Sequence, residues 1–423
     1  MGSSNITKCQ LRIPSHQAQK FDINRIKFVI NVKSTIMIKN ITPTIKYIGV
    51  DDTTLDLFES QYIIPNGISY NSYLILDEKV AIMDTVDRRM SNEWWANLET
   101  ALDGRTPDYL IVHHMEPDHA GNIATAMAKY PEIKIVASTK AIAMMPQFFE
   151  NVDFTGRTIA VNEYEKLSLG THTLQFLMAP MVHWPEVMVT YDHADKVAFT
   201  ADGFGKFGAL SHEEDWVCEA RRYYFNICGK YGISVQALLK KLAVLDVKHI
   251  CPLHGPILSE NLDYYIGLYD TWSKYEVETD GVFIAYASIH GGTKAAALKL
   301  AEILKEKGAK NVAITDLSRD DMAEAVEDAF RYGKMVVAAS SYDGDVFPPM
   351  YDFLHHLKLK AYQRRRVAII ENGSWAPSAG RVMKEMLGKM KELEIIEPIV
   401  TLRSTMKHTD IPIMGTLADA ILK

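Results

Sequence analysis

The chain has 423 residues, of which 48% are apolar and 23% are charged, a composition typical of a soluble globular protein with about two or three domains. Lys and Arg number 46 against 53 Asp and Glu, and the resulting net charge of −7 argues against nucleic acid binding, which needs basic surfaces. The longest stretch without Lys, Arg, Asp or Glu, residues 167–185, contains His172, His183 and two prolines, so we predict no membrane span.

The four cysteines are scattered along the chain, and none forms a CxxC pair. The sequence therefore predicts no zinc ribbon, no rubredoxin-type iron site and no thioredoxin-type motif. Isolated cysteines in so long a chain indicate a reducing compartment without disulfides, and we expect a cytoplasmic protein whose cysteines remain thiols.

The first 46 residues hold eight Lys or Arg and a single acid, Asp22, and they lack the long apolar core of a secretory signal. We predict a basic extension over residues 1–40 that leads into a first strand. A segment that targets an organelle is the alternative.

Residues 41–275 mix short strands with a few helices, which predicts a layered α/β domain. The strand Tyr109–His113 is apolar and then ends abruptly in polar residues, as a buried strand does where it reaches a site. The other predicted strands are Tyr73–Leu76, Val80–Asp84, Ile133–Ala137, Leu174–Met178, Val187–Tyr191 and Val197–Thr200, and the predicted helices are Ile123–Lys129 and Ala141–Phe149.

A polar segment, Ser273–Asp280, has no periodic apolar face, and we place the domain boundary there. Residues 281–423 then alternate strands with helices, which predicts a doubly wound parallel sheet. The predicted elements are strand Val282–Ala287, helix Lys294–Lys307, strand Val312–Thr315, helix Asp321–Arg331, strands Met335–Ser340 and Val367–Ile370, and a final helix from about Arg381.

Four potential metal ligands occur within six residues directly after the strand Tyr109–His113: His114, Glu116, Asp118 and His119. Alternate positions of an extended segment point the same way, so we expect His114, Glu116 and Asp118 to converge, helped by Pro117, which favours an extended Glu116. Three later residues also follow predicted strands: His183, Asp202 and His254. Each of them alone reads as a turn or surface residue, but together with the dense cluster they predict a metal site.

This ordered set resembles the metallo-β-lactamase-like domain of flavodiiron proteins, with Glu116 where hydrolases of that superfamily have a second histidine. A carboxylate is a harder, anionic ligand and favours iron over zinc. The resemblance implies an αββα sandwich in which His114, Glu116 and His183 hold one iron ion. It further implies that Asp118 and His254 hold a second iron, that Asp202 bridges both, and that His119 is a ligand whose coordination varies in the family. These residues, apart from His119, are also the expected catalytic set.

Three loops of the second domain follow its strands, and they resemble the FMN loops of flavodoxins. Small residues and a helix N-terminus let a backbone approach a phosphate, and Trp375 is suited to stacking on a flavin, although packing on Pro377 would also explain it. The predicted FMN-binding residues are Ser288, Ile289, His290, Gly291, Gly292, Thr293, Ser340, Ser341, Tyr342, Asp343, Gly344, Asn372, Gly373, Ser374 and Trp375.

The resemblance, over about residues 41–423, implies an FMN-dependent diiron reductase of O2, with NO as the alternative substrate. It implies a homodimer or a dimer of dimers. With no rubredoxin-type cysteines, a separate electron donor is expected, either a rubredoxin-like carrier or a flavin- or NADH-linked reductase. Two rival functions remain: a zinc hydrolase on the same metal fold, which Glu116 opposes, and a flavodoxin-like electron shuttle whose metal domain only docks partners.

Overall fold

The computed structural model describes residues 37–423, so most of the predicted basic extension lies outside the described residues. The first half of the chain contains a seven-stranded sheet in the order β1-β2-β7-β8-β9-β10-β11, antiparallel from β1 to β8 and parallel from β8 to β11. Its strands are β1 (Lys39–Asn40), β2 (Ile45–Tyr47), β7 (Tyr73–Leu76), β8 (Val80–Met83), β9 (Tyr109–Val112), β10 (Lys134–Ser138) and β11 (Thr158–Val161). The strands between β2 and β7 form two small pairs and are β3 (Val50–Asp52), β4 (Leu57–Phe58), β5 (Tyr62–Ile63) and β6 (Ile68–Tyr70).

A second sheet has five strands in sequence order, and its last pair is parallel. It consists of β12 (Lys166–Ser168), β13 (Thr173–Met178), β14 (Met188–Asp192), β15 (Val197–Phe199) and β16 (His249–Cys251). The α-helices of this half are α1 (Ser91–Leu102), α2 (Pro117–Ala120), α3 (Ile123–Lys129), α4 (Thr139–Phe148), α5 (Trp216–Ile227), α6 (Gly232–Leu242) and α7 (Leu262–Ser273).

The side chains of the central strands alternate between the two faces of each sheet, and this explains why these elements form four layers. In β7, Tyr73 and Ile75 pack with Phe176 and Phe199 of the other sheet, whereas Leu74 packs towards α1 on the opposite face. Successive side chains of a strand point to opposite faces, so strands that are apolar on both faces need cover on both sides. The predicted αββα sandwich is confirmed.

The second half is built on a parallel sheet in the order β18-β17-β19-β21-β22, with a short antiparallel strand beside β19. Its strands are β17 (Thr279–Ala287), β18 (Val312–Asp316), β19 (Tyr332–Tyr342), β20 (Asp345–Val346), β21 (Arg366–Asn372) and β22 (Glu394–Leu402). Its α-helices are α8 (Gly292–Glu306), α9 (Met322–Arg331), α10 (Pro348–Leu359), α11 (Ala379–Leu387) and α12 (Ile411–Leu422). This is the predicted doubly wound, flavodoxin-like sheet, and its switch point lies between β17 and β19.

One prediction for this half is wrong. The segment after Arg381 is not a single final helix, because α11 ends at Leu387 and is followed by β22 and then α12. The isoleucines and valine of β22 suit a strand that packs beneath α12, and tertiary packing decides between strand and helix for such short apolar runs.

The two halves pack on each other through a shared apolar core. Phe225 of α5 stacks on Phe330 of α9 with ring centroids 4.3 Å apart. Beside them Arg221, whose side chain is 2% exposed, donates hydrogen bonds of 2.6 Å to both carboxylate oxygens of Glu278 and lies 3.5 Å from Glu327. A buried guanidinium thus ties the first half to the start of the second.

Two further sequence expectations can be compared with the described residues. Cys228 and Cys251 are buried thiols, but Cys218 is disulfide-bonded, so the expectation that all four cysteines remain thiols is wrong. Within residues 37–423, no helix is both long enough and apolar enough to cross a membrane.

We expect Arg221→Ala to lower the free energy of unfolding by about 3 kcal/mol, because it leaves two carboxylates without their buried cation. The matched control is Arg381→Ala, which removes an exposed pair with Glu385 and should cost less than about 1 kcal/mol. Urea unfolding of both variants measures the difference. Equal losses would contradict a stabilising role for the buried ion pair.

Candidate metal centre and cofactor cleft

All seven predicted metal ligands lie just after strands, at one edge of the sandwich. His114 follows β9, His183 follows β13, Asp202 follows β15 and His254 follows β16. Both sheets thus contribute strand ends to the same place, and the structure brings all seven side chains together there.

The first group of ligand atoms comprises those of His114, Glu116, His183 and Asp202. The Nε2 atom of His114 lies 3.1 Å from Glu116 Oε2 and 3.3 Å from His183 Nε2. His183 Nε2 lies 3.0 Å from the same Glu116 oxygen. Two imidazoles and a carboxylate therefore point at one spot, which is a donor set for a transition metal.

The second group comprises Asp118, His119 and His254. The Nε2 atoms of both histidines lie 3.3 Å from Asp118 Oδ2. His119, whose role the sequence left open, points into this group with its ring nitrogen and is 1% exposed.

Asp202 stands between the two groups. Its Oδ2 lies 3.2 Å from His183 Nε2 and 3.4 Å from His114 Nε2, in the first group. Its Oδ1 lies 3.2 Å from His119 Nε2 and 3.9 Å from His254 Nε2, in the second. A carboxylate with one oxygen towards each group has the geometry of a ligand shared by two metal ions.

Hydrogen bonding leaves this cluster unsatisfied. Among the described residues, neither carboxylate oxygen of Asp118 or of Asp202 has a hydrogen-bond partner. The Nε2 atoms of His119 and His254 also have none among these residues. Buried polar atoms normally have partners, and unpartnered oxygen and nitrogen atoms on four of these seven converging residues fit a pair of cations. The residues present therefore suit the metal pair that the sequence predicts.

The electrostatics of the cluster point the same way. Burial by itself would lower the pKa of His114 and of His183, but the neighbouring carboxylates raise both, that of His183 to about 9. Burial likewise opposes the charge on Glu116 and Asp202, and the imidazoles nevertheless lower the pKa of each carboxyl group. Positive charge is thus strongly favoured between these carboxylates, and metal ions can replace the protons that supply it.

The segment His114–His119 differs from the prediction in one respect. Glu116 is extended, with ψ of 139°, as expected before Pro117, but Pro117–Ala120 then forms a helical turn. Asp118 therefore does not converge with His114 and Glu116; the turn directs it and His119 to the second group. Gly121 closes the turn, where a Cβ would lie 2.8 Å from the carbonyl oxygens of Pro117 and Val86.

Apolar and aromatic side chains surround the cluster. The ring centroid of His254 lies 5.3 Å from that of Phe58 and 5.6 Å from that of Tyr223. The ring centroid of His114 lies 5.1 Å from that of Trp184. We call the opening above the metal ligands the mouth cavity; it has about 210 Å³ and is lined by Leu55, Leu57, Phe58, Glu59, Ser60, Tyr70, Asp87, Arg89, Glu116, Pro117 and Asp118. This volume is below the usual range for drug-sized ligands and suits a small substrate.

Sequence reasoning missed two groups that orient the histidines. Glu186 accepts a hydrogen bond of 2.7 Å from Nδ1 of His114, and the carbonyl oxygen of Ser69 accepts one of 2.7 Å from Nδ1 of His254. Glu186 lies three residues after His183, and this short spacing was the only signal for it. Ser69 acts through its backbone, which leaves no signature in the sequence.

A third cluster of metal-ligating residue types, outside these groups, is His172, Asp192 and Asp195. Both ring nitrogens of His172 are engaged, Nδ1 with Asp192 at 3.0 Å and Nε2 with the hydroxyl of Thr44 at 2.9 Å. Thr44 in turn donates to Asp195 at 3.2 Å. The cluster satisfies itself and ties β13 and β14 to the start of β2.

The predicted flavin loops meet in a cleft of about 600 Å³ at the carboxyl ends of β17, β19 and β21. Of the fifteen predicted FMN residues, thirteen line it: Ile289, His290, Gly292, Thr293, Ser340, Ser341, Tyr342, Asp343, Gly344, Asn372, Gly373, Ser374 and Trp375. The N-terminus of α8 opens into this cleft and offers backbone N–H groups to a phosphate. Trp375 is 89% exposed at the rim, so packing on Pro377 does not bury it.

The cleft departs from the prediction in three places. Ser288 and Gly291 do not line it; the Ser288 hydroxyl instead accepts a hydrogen bond from the Gly291 N–H at 3.1 Å. A fourth loop, with Ser404 and Thr405, does line it, and it was missed because β22 was not predicted. Asn372 holds this loop through its side chain, donating to the carbonyl of Ser404 at 2.7 Å and accepting from its N–H at 2.9 Å.

Comparison with known proteins agrees with both halves of this architecture. The model of the ODP family of β-lactamases matches residues 68–255. An anaerobic nitric oxide reductase flavorubredoxin of Vibrio vulnificus is 27% identical over 352 residues, which cover 81% of this chain and 70% of the relative. A flavo di-iron protein of Thermotoga maritima superposes with a TM-score of 0.82 at 25% identity, covering 92% of this chain and 99% of the other. The chain is therefore similar to flavodiiron proteins and flavorubredoxins across both of its halves.

An uncharacterised protein of Methanocaldococcus jannaschii, 28% identical over 384 residues, covers 88% of this chain and 95% of its own length. Both halves are therefore shared in the same order by relatives of this length. These similarities agree with the metallo-β-lactamase-like and flavodoxin-like halves described above.

We expect Asp202→Asn to weaken the binding of two equivalents of a divalent metal, because Asp202 faces both groups. Asp118→Asn should weaken only one equivalent. Anaerobic titration of chelator-treated protein with Co(II), followed by its absorption spectrum, measures both; Asp153→Asn, on the exposed surface, is the control. Loss of a single equivalent in Asp202→Asn would contradict the shared position.

Proposed function

We propose that the chain is an oxidoreductase that reduces O2 to water at a pair of iron ions, with electrons supplied through FMN in the cleft. The observation that carries the proposal is Asp202, whose two oxygens face two separate groups of buried N and O donors. The reduction consumes four electrons and four protons for each O2, and two iron ions together with a flavin supply electrons in that number without release of partly reduced oxygen. This chain's residues bind and orient those groups and exclude water.

Glu116 supports iron rather than zinc. Its carboxylate is 3.0 Å from His183 Nε2 and takes the place of a third imidazole in the first group. Hard anionic oxygen ligands stabilise an ion that cycles between the ferrous and ferric states. We assign His114, Glu116 and His183 to the first iron and Asp118, His119 and His254 to the second, with Asp202 shared.

The mouth cavity supports a small substrate. It ends on Glu116 and Asp118, one ligand from each group, so a molecule that enters it reaches both metal positions. Its walls combine the apolar Leu55, Leu57 and Phe58 with charged residues such as Arg89, and its volume of about 210 Å³ suits a small molecule.

The cleft supports FMN. Its volume is typical of a cofactor site, helix α8 directs N–H groups at the position for a phosphate, and Trp375 offers an exposed aromatic face to a planar ring. We further propose a homodimer that receives electrons from a separate protein donor.

NO is the second candidate substrate. A relative of this chain is named an anaerobic nitric oxide reductase flavorubredoxin. The mouth cavity admits either diatomic molecule.

The test is an electrode assay on protein with determined iron and FMN content, supplied with electrons by NADH and a flavin reductase. We expect rapid O2 consumption and no O2 release when catalase is added, because water rather than peroxide is the product. The same preparation is then given NO, and a faster reaction with NO would reverse the assignment of substrate.

Three results would overturn the proposal. Iron- and FMN-loaded protein that consumes neither gas would contradict it, and ester hydrolysis by zinc-loaded protein would favour the hydrolase. Asp202→Ala that keeps full reductase activity would favour the electron shuttle, since that function needs no metal pair.

For the cleft, we expect Trp375→Ala to weaken FMN binding about tenfold, because a stacked aromatic pair contributes roughly 1 kcal/mol beyond the area that it buries. Fluorescence titration of the FMN-free protein with FMN measures the affinity. Tyr164→Ala removes another exposed aromatic residue, in the first half, and should leave it unchanged. Unaltered affinity in Trp375→Ala would remove this residue from the FMN site.

A further inference from the structure

The two metal positions differ in what lies behind their histidines. In a neutral imidazole one ring nitrogen carries the proton and the other donates its lone pair, so the partner of Nδ1 decides what Nε2 can do. For His114 that partner is the Oε1 atom of Glu186 at 2.7 Å, which leaves Nε2 to face Glu116 at 3.1 Å.

Glu186 is held firmly in this position. Its side chain is fully buried, and Oε1 also accepts a hydrogen bond of 3.0 Å from the backbone N–H of Met115. Its own carbonyl oxygen accepts a hydrogen bond of 2.7 Å from the hydroxyl of Ser138, at the end of β10. Both contacts of the carboxylate are with donors, as expected of an acceptor group placed against an imidazole.

The second metal position has no such support. Nδ1 of His254 bonds the neutral carbonyl oxygen of Ser69 at 2.7 Å, and Nδ1 of His119 has no hydrogen-bond partner among residues 37–423. Within that range, His114 is the one cluster histidine whose Nδ1 hydrogen-bonds a carboxylate. The asymmetry is a difference of one nearby negative charge.

We propose that Glu186 is a positioning residue that makes the two metal positions unequal, so that the position held by His114 and Glu116 binds Fe(II) more tightly and is oxidised first. A carboxylate behind a ligating imidazole fixes its tautomer and raises its basicity. The additional negative charge favours the ferric over the ferrous ion at that position. This inference rests on the proposed function only in taking the metal to be iron.

The redox step is a one-electron transfer. One electron would leave an Fe(II) ion bound by His114 and Glu116, giving Fe(III), and an added ferricyanide ion would take it up and become ferrocyanide. The second equivalent of ferricyanide then oxidises the other position. Because the two positions differ, the half-oxidised protein should accumulate between the two equivalents.

The test variant is Glu186→Gln, which keeps the size and the acceptor oxygen of the side chain but removes the charge. We expect about 10- to 100-fold weaker binding of one Fe(II) equivalent and wild-type binding of the other, measured by anaerobic Fe(II) titration. We also expect a lower maximal yield of the half-oxidised state by electron paramagnetic resonance during ferricyanide titration. Neither readout depends on catalytic activity.

Two control variants distinguish an effect of the Glu186 charge on His114 from a loss of packing around the Glu186 side chain. Glu132→Gln neutralises an exposed carboxylate of the same half and should change neither readout. Glu186→Asp keeps the charge and should restore most of the half-oxidised yield, whereas a purely structural role would leave the shorter side chain as defective as glutamine. Thermal unfolding of each variant verifies that it is folded.

The outcomes distinguish this inference from the proposed function. If wild-type protein binds two Fe(II) and Glu186→Gln binds them with unchanged affinities and the same half-oxidised yield, the role of Glu186 is overturned while the diiron proposal stands. If wild-type protein takes up no pair of iron ions, the proposed function itself is contradicted.

Discussion

In the first half, the ends of β9, β13, β15 and β16 meet at one point. The position of one carboxylate there, that of Asp202, shows how precisely these strand ends must be aligned. Asp202 has an oxygen within 3.4 Å of an imidazole nitrogen in each of two groups. Those groups come from both sheets of the sandwich, so their alignment requires the sheets to pack face to face with a fixed offset. The inter-sheet core of Tyr73, Phe176 and Phe199 supplies that alignment.

The cluster is costly for a protein without metal. Three carboxylates and four imidazoles occupy a buried space in which several atoms have no hydrogen-bond partner among the described residues. Such a set repels itself unless protons or cations lie between the carboxylates, and the raised pKa of His183 together with the lowered pKa of Asp202 reflects that requirement. The surrounding layers must therefore hold the ligands in place, which explains the aromatic packing around His254 and His114.

Much of this architecture could be predicted from sequence because its signals are local. The dense segment from His114 to His119 and the alternating strands and helices after Ser273 are visible without any structure. Other features depend on contacts between distant segments and could not be predicted in that way. The helical turn that redirects Asp118, the backbone carbonyl of Ser69 and the loop after β22 all belong to this class, since each is decided by tertiary packing rather than by its own residues.

Charge explains why one substitution in the ligand set matters for chemistry. If two ferrous ions bound here, the carboxylate ligands Glu116, Asp118 and Asp202 would offset part of their four positive charges, and oxidation of either ion would add one more. An imidazole in place of Glu116 would leave only two negative charges and make that added charge more costly in a buried site. The carboxylate of Glu116 therefore favours ions that change their charge during turnover, whereas a zinc site, whose ion keeps its charge throughout, gains nothing comparable from it.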